Sequence, residues 1–262
     1  MRIPPPEVRH AWGLALRNWL LPVYCRQCGE RLLTEENGFF CPHCWAGAPW
    51  IEPPLCGRCG RPHFEMVGLG FAPDYYPCVE CREKPSLWID RVFAAAVYQD
   101  IASDAVKLLK FGRRAKLAGA MGESMAKTLR RDSAGYRPDA VVPVPLYRTR
   151  LRERGFNQSA LLAEVLAWRL GFPEVDAGGL VRIRPTRAQS GIRDPAERRR
   201  NVRGAFAVTD DRFCDRVLLL VDDVMTTGGT LEECARVLKR AGKASAVHVA
   251  VFALALRGVR DL

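Results

Sequence analysis

Residues 218–230 read LLLVDDVMTTGGT, a stretch that joins a buried strand, two adjacent carboxylates and a turn of threonine and glycine. The apolar run Leu218–Val221 precedes Asp222 and Asp223, and neither lysine nor arginine occurs in the stretch. A strand that enters a helix through such a turn offers backbone amides, hydroxyls and a helix N-terminus to a phosphate. The carboxylates cannot bind phosphate, but they accept hydrogen bonds from a diol. The stretch therefore predicts a ligand such as ribose 5-phosphate.

The surrounding sequence predicts an α/β fold. Apolar runs at 91–98, 140–145, 217–222 and 245–255 alternate with helical patterns at 101–111, 116–131, 157–170 and 229–241. Near-continuous apolar strands between helices are typical of a parallel sheet covered on both faces, and ligands bind beyond the carboxyl ends of its strands. The turn matches neither a Walker A loop nor a dinucleotide fingerprint. An incidental strand–turn–helix with acidic ends is the alternative interpretation.

Eight of the ten cysteines form four C-x-x-C pairs, which are Cys25/Cys28, Cys41/Cys44, Cys56/Cys59 and Cys78/Cys81. The first two pairs are 12 residues apart and the last two 18 residues apart, a spacing that predicts two successive four-cysteine zinc sites. An interleaved pairing, disulfides, and His43 or His63 as substitute ligands are the alternatives. Four thiolates leave no open coordination position, so the predicted zinc is structural.

The sequence predicts three successive parts and no membrane span. We expect an amphipathic helix over 1–20, a double zinc ribbon over 21–86 and an α/β domain over 90–262. No run reaches the roughly 18 apolar residues of a membrane span. We see no secretory signal, so we expect a reducing, cytoplasmic location.

The net charge of +11 is concentrated in three basic segments. These are residues 107–116, 147–156 and 182–203, the last with eight arginines against two acids. Local excesses of positive charge indicate an anionic ligand or nucleic acid.

These motifs resemble a known family. VLLLVDDVMTTGGT resembles the phosphoribosyl-pyrophosphate (PRPP) motif of type I phosphoribosyltransferases. The chain from the cysteine pairs through VVPVPLYRTRLRERGFNQS and RPTRAQSGIRDPAERRRNVRGAF resembles the ComF (competence protein F) family. The resemblance implies a type I phosphoribosyltransferase fold behind a zinc-ribbon module, PRPP with Mg²⁺ as ligand, and a role in single-stranded DNA uptake during natural transformation. DNA-uptake machinery, such as a helicase or DNA-processing proteins, is the implied partner.

The resemblance also implies residue roles. Asp222 and Asp223 would hold the ribose hydroxyls, and the 5-phosphate would lie against Thr226, Thr227, Gly228, Gly229 and Thr230. The pyrophosphate side would be formed by Arg148, Arg154, Asn157 and Gln158. A helix-capping turn with Asn157 as N-cap is the alternative for that segment. Lys110 and Arg113 either close over the site or simply end a helix.

Residues 182–203 lie where type I enzymes carry a mobile loop. Arg187 and Gln189 are the candidate catalytic residues within it, and Arg198, Arg199 and Arg200 are the candidate nucleic-acid contacts. A solvated basic arm is the alternative interpretation of this segment.

Three functions remain open from the sequence. They are a PRPP-binding protein of DNA uptake, a phosphoribosyltransferase with an unidentified acceptor, and a zinc-ribbon scaffold or regulator. Thr226 stands where purine salvage enzymes of the hypoxanthine-guanine type carry an acid, which argues against that substrate class. No segment shows an evident base-recognition pattern.

Overall fold

The computed structural model describes residues 22–32, 39–63, 75–83, 86–112, 114–187 and 194–256. The chain divides into two compact units, residues 1–48 and 49–262. The helix expected over 1–20, Arg113 and Gln189 lie outside the described residues. Within the described residues, no helix is long and apolar enough to cross a membrane.

The smaller unit contains the first cysteine cluster. Its one described helix is α1 (Pro42–Ala46), and the side chain of Cys41 accepts a hydrogen bond from the Cys44 amide at the helix start. Tyr24 and Arg31 form an antiparallel bridge across the first cysteine knuckle.

The larger unit contains a parallel sheet with the strand order β1-β6-β5-β2. Its strands and helices, in chain order, are α2 (Val79–Glu83), β1 (Arg91–Val97), α3 (Asp100–Phe111), α4 (Leu117–Asp132), β2 (Ala140–Pro143), α5 (Arg148–Arg154), α6 (Gln158–Leu170), β3 (Leu180–Arg182), α7 (Pro195–Val202), β4 (Phe206–Val208), β5 (Val217–Met225), α8 (Gly229–Arg240) and β6 (Ala246–Leu254).

The four predicted strands and four predicted helices are confirmed with small shifts at their ends. The sequence missed α5, because its residues RTRLRER show no apolar periodicity. It also missed the short antiparallel pair of β3 and β4.

The core lies on both faces of the central strands. Leu218–Val221 of β5 are fully buried, and Asp222 lies opposite Val251 of β6 in the parallel register. Helices α4 and α6 approach each other closely at Gly122, where an added Cβ would lie 2.6 Å from the Val165 side chain.

The second cysteine cluster packs against the edge strand β1. The Ile51 amide donates to the Ala95 carbonyl (2.9 Å), and the Val92 amide donates to the Arg58 carbonyl (2.7 Å). Trp50 forms an antiparallel bridge with Ala96. These bonds cover backbone groups that an open sheet edge would leave unpaired.

Candidate functional site

Asp222 and Asp223 lie near the carboxyl end of β5, and both are buried. The Oδ1 atom of Asp222 accepts hydrogen bonds from the Ser159 hydroxyl (2.8 Å) and from the Asp223 amide (2.9 Å). Asp223 Oδ1 accepts from the Val224 amide (2.9 Å). Ser159, at the start of α6, therefore orients the first carboxylate.

Lys110, near the end of α3, supplies the positive charge that two buried acids require. Its Nζ lies 2.8 Å from Asp223 Oδ2. Burial, with a smaller contribution from Asp223, raises the pKa of Asp222 to about 7, although Lys110 and Ser159 act in the opposite direction. Burial works to lower the pKa of Lys110, but Asp223 and Asp222 raise it above its ordinary value. The Asp222 carboxyl is thus partly protonated near neutral pH, with a lysine beside its neighbour Asp223.

The predicted phosphate turn follows β5 and leads into α8, which begins at Gly229 as the sequence predicted. Gly228 occupies the left-handed region at φ +76°, and an added Cβ would lie 3.0 Å from Met225 Cε. The Thr227 hydroxyl oxygen is buried and has no hydrogen-bond partner among the described residues. The turn therefore has an amide-rich helix start and an unsatisfied hydroxyl beside the acids.

A cavity of about 350 Å³ brings most of the predicted residues together. Its lining includes Lys110, Arg154, Gln158, Arg187, Arg198, Asp222, Asp223, Thr226, Gly228, Gly229 and Thr230. Arg148, Asn157, Thr227, Arg199 and Arg200 are not among its lining residues.

The residues that follow β2 have two different roles: some line the cavity, and Asn157 caps helix α6. Arg154 donates a hydrogen bond to Gln158, and both line the cavity. Asn157 is the N-cap of α6, where its Oδ1 accepts from the Ser159 amide, and its Nδ2 donates to the Val144 carbonyl (3.0 Å). Asn157 therefore has the capping role that the sequence left as an alternative, while its role toward a ligand stays a prediction.

The basic segment 182–203 is partly helical. The side chain of Asn201 in α7 makes two hydrogen bonds to the Arg187 main chain. Its Oδ1 accepts from the Arg187 amide (3.1 Å), and its Nδ2 donates to the Arg187 carbonyl (3.0 Å). Arg199 packs against the phosphate turn, where a Cβ on Gly229 would lie 3.4 Å from Arg199 Cγ. Asp194 caps α7 by accepting from two amides. The segment thus brings arginines to the rim of the turn.

Sequence reasoning missed several lining residues. Arg150 and Arg182 line the cavity, and burial lowers the pKa of Arg182. Both lie in basic segments that the sequence had marked only by their charge. Ser159 directly follows the predicted Gln158, but only the fold shows that its hydroxyl reaches Asp222.

The cysteines form two four-sulfur clusters in the sequential pairing. One cluster is Cys25, Cys28, Cys41 and Cys44, and the other is Cys56, Cys59, Cys78 and Cys81. Neither His43 nor His63 joins a cluster among the described residues.

The cluster geometry fits zinc. The sulfur atoms of Cys28 and Cys41, and likewise those of Cys59 and Cys78, are 3.8 Å apart. A tetrahedral ion with Zn–S bonds of about 2.3 Å separates its ligand sulfurs by about 3.8 Å. The amides of Cys41 and Cys78 point at the sulfurs of the first cysteine of their clusters at 3.3 Å. Because every ligand is a cysteine, such an ion is structural.

The fold and site together define a phosphoribosyltransferase-type α/β domain that follows a double zinc ribbon. The family comparison agrees, since the phosphoribosyl transferase domain family matches residues 197–261 and the double zinc ribbon family matches residues 16–82.

Three relatives cover most of the chain. It is 33% identical to the DNA utilization protein YhgH of Escherichia coli strain K12, over 87% of this chain and 96% of that protein. It is 30% identical to Competence protein F of Haemophilus influenzae, over 83% and 91% of the two chains. Competence protein ComFC of Bacillus subtilis is 27% identical over 82% and 84%. The chain therefore belongs to the competence protein F (ComF) family.

Proposed function

We propose that the cavity binds PRPP together with Mg²⁺, and that this binding serves the handling of single-stranded DNA during uptake in natural transformation. The observation that carries the proposal is that one cavity is lined by the two acids, by several arginines and by four residues of the turn, Thr226, Gly228, Gly229 and Thr230. Its volume falls within the range of about 300–1,000 Å³ of small-molecule sites.

Each part of PRPP has a chemical match in this cavity. The ribose hydroxyls would donate to Asp222 and Asp223, whose side chains are already oriented by Ser159 and by backbone amides. The 5-phosphate would accept from the amides at the start of α8 and from the hydroxyls of Thr226 and Thr230, which line the cavity. Arg154 and Arg187 are suited to the diphosphate, because guanidinium groups bind pairs of phosphate oxygens.

Magnesium fits the same chemistry. Carboxylate and phosphate oxygens are the ligands that Mg²⁺ prefers, and bound Mg²⁺ would neutralise charge on the diphosphate. In this arrangement Lys110 keeps the two buried acids compatible with an anionic ligand, since it balances one carboxylate at 2.8 Å.

The role in DNA uptake rests on charge and on the relatives. The net charge is +11, and the arginines of α7 include Arg198, which lines the cavity, and Arg199, which packs against the phosphate turn. The printed names of the relatives refer to DNA utilization and competence. We propose DNA-uptake machinery, such as a helicase or DNA-processing proteins, as the partner. Eight thiolates committed to metal suit a reducing compartment such as the cytoplasm.

Calorimetric titration with PRPP tests the ligand assignment. The wild-type protein should bind PRPP in the presence of Mg²⁺, and the double change Asp222→Asn and Asp223→Asn should abolish the binding. Asp211→Asn removes one exposed carboxylate outside the cavity lining and should leave the affinity unchanged. Undiminished binding by the double variant would refute the ribose assignment.

The salt dependence of binding to single-stranded DNA tests the proposed role in DNA handling. The logarithm of affinity should fall with the logarithm of salt concentration with a slope of about −0.7 per phosphate neutralised. Replacing Arg198, Arg199 and Arg200 with alanine should flatten this slope. The matched control removes three exposed charges elsewhere, through alanine at Lys127, Arg137 and Arg216. Equal slopes for the two triple variants would remove α7 from the DNA site.

An enzyme that transfers phosphoribosyl to an unidentified acceptor is the second candidate. Arg187 favours it, because Asn201 holds the Arg187 main chain at the cavity wall, and a guanidinium at that wall would stabilise departing pyrophosphate. The reaction would be displacement at ribose C1, which needs no protein nucleophile. A screen of nucleobase acceptors for pyrophosphate release tests it, and Arg187→Ala should lower any turnover by about 10²–10³.

A further inference from the structure

Phe111 is an exposed aromatic residue at the wall of the ligand cavity. It ends α3, lines the cavity, and is 71% exposed. The preceding residue, Lys110, contacts Asp223, so the ring lies one residue along the helix from the proposed ribose site. Single exposed apolar residues are ordinary on a protein surface, so the informative feature of Phe111 is its place at the wall of a cavity lined by charged residues.

Arg154 lies over this ring. Its guanidinium carbon is 5.8 Å from the centroid of Phe111, and Gln158 accepts a hydrogen bond from the same guanidinium. The cation is therefore held on the ring while most of the ring surface remains exposed to solvent. A ring backed by a guanidinium offers a flat apolar surface next to a positive charge.

Two further cations line the same cavity. Arg150 lines the cavity, and so does Lys107, whose ammonium pairs with Asp104 at 3.0 Å and whose side chain is 57% exposed. Aromatic rings interleaved with cations are the usual means of binding single-stranded nucleic acid, because the bases stack and the phosphates meet the cations.

We propose that Phe111 is a platform on which a nucleobase stacks at the rim of the cavity, with Arg150 and Lys107 facing the adjoining phosphate. The base comes either from single-stranded DNA or from a free nucleobase acceptor, since both present the same aromatic face. The inference deepens the proposed function and rests on it for the ligand that fills the rest of the cavity.

The experiment compares Phe111→Ala with the wild-type protein on two oligonucleotides of about 15 nucleotides, an oligothymidylate and an abasic strand of equal length. One stacked base contributes about 1–3 kcal/mol, so the oligothymidylate affinity should fall about 5- to 150-fold, measured by fluorescence anisotropy. Affinity for the abasic strand should not change, because its phosphates are intact. Phe111→Trp should restore the affinity, whereas Phe111→Leu should not.

Trp168 provides the matched control. It is 73% exposed, it carries the Arg169 guanidinium 4.5 Å from its ring centroid, and it does not line the cavity. Trp168→Ala should leave oligothymidylate affinity unchanged. An equal loss in both alanine variants would overturn the assignment, since any exposed aromatic residue would then serve.

A second experiment tests whether Phe111 stacks on a free nucleobase. Calorimetric titration of adenine into the protein saturated with PRPP and Mg²⁺ should show binding that Phe111→Ala removes if the base belongs to an acceptor. Loss in the DNA arm assigns the platform to the strand, and loss in neither arm overturns the proposal. A wild-type protein that fails to bind PRPP refutes the proposed ligand, while the two oligonucleotides still decide whether Phe111 stacks on a base.

Discussion

Replacing Asp222 with asparagine should stabilise the fold while it removes ligand binding. Burial, with Asp223, raises the pKa of Asp222 to about 7, compared with 3.8 for an unperturbed aspartate. Between these two values the folded state holds a proton that the unfolded state has released. The free energy of unfolding of the wild type therefore falls as the pH rises through this window, and it becomes level above the folded pKa.

The size of the effect follows from the two pKa values. A difference of roughly 3 in pKa corresponds to a stability loss on the order of 4 kcal/mol above pH 7, at about 1.4 kcal/mol per pH unit. Asparagine carries no charge, and its Oδ1 can still accept from Ser159 and from the Asp223 amide. Asp222→Asn should therefore be more stable than the wild type by a few kcal/mol at about pH 8. The gain should be roughly 2 kcal/mol smaller at about pH 5.5, where the wild-type carboxyl is still protonated in the folded state.

Urea unfolding followed by circular dichroism at these two pH values, with zinc present, measures the gain. Asp211→Asn serves as the control because that side chain is exposed, and its stability should follow the wild type at both pH values. The reasoning fails if Asp222→Asn is less stable than the wild type at about pH 8, or if the difference does not grow with pH. A gain in stability with a loss of PRPP binding would show that the site keeps a destabilising charge for function.

Three further predictions concern the turn, the counter-ion and the zinc clusters. Gly228→Ala should cost about 1–2 kcal/mol in unfolding free energy and weaken PRPP binding, because Gly228 has a positive φ and the added Cβ would approach Met225. Gly135→Ala is the control: Gly135 has φ +79° and no atom lies within 4 Å of the added Cβ, so this variant should show the backbone cost without the loss of binding. Lys110→Met should destabilise the fold by about 3 kcal/mol at about pH 8, because it leaves the buried Asp223 carboxylate unpaired. The loss should be smaller at about pH 5.5, because Lys110 also lowers the pKa of Asp222, and that carboxyl is protonated in the folded state at the lower pH. Equal losses at both pH values in urea unfolding would contradict this. Cys56→Ser should abolish both the cooperative unfolding of residues 49–262 and PRPP binding, because the second cysteine cluster is hydrogen-bonded to β1. Cys25→Ser, in the first cluster, should leave both properties intact. The same thermal midpoint for both variants would refute the distinction.

Local sequence patterns predicted most of the α/β unit because each pattern reports a burial environment directly. The runs that became β1, β2, β5 and β6 are apolar on both faces, as strands between two helical layers must be. Helix α5 has no such pattern: its four arginines face solvent or the cavity, and its boundaries come from Gly155 in the left-handed conformation.

The candidate site divides in the same way. The acids and the phosphate turn could be read from the chain because they are contiguous in sequence. Arg150, Arg182 and the Ser159 contact could not be read, since they come from separate strands and helices that meet only when the sheet is formed. Arg148 shares the charge and neighbourhood of Arg154, but it begins α5 and does not line the cavity, so its role toward a ligand stays a prediction.

The sequence by itself determined the parallel sheet, the two four-cysteine clusters and the placing of two acids directly before a threonine–glycine turn, because these depend on residues that are near one another along the chain. Only the tertiary structure decided that Lys110 neutralises Asp223, that Ser159 orients Asp222, and that Phe111 stands exposed beside them. The physical reason is that charge balance and burial depend on distance in space, and helices α3 and α6 reach the end of β5 only after the sheet has brought them together.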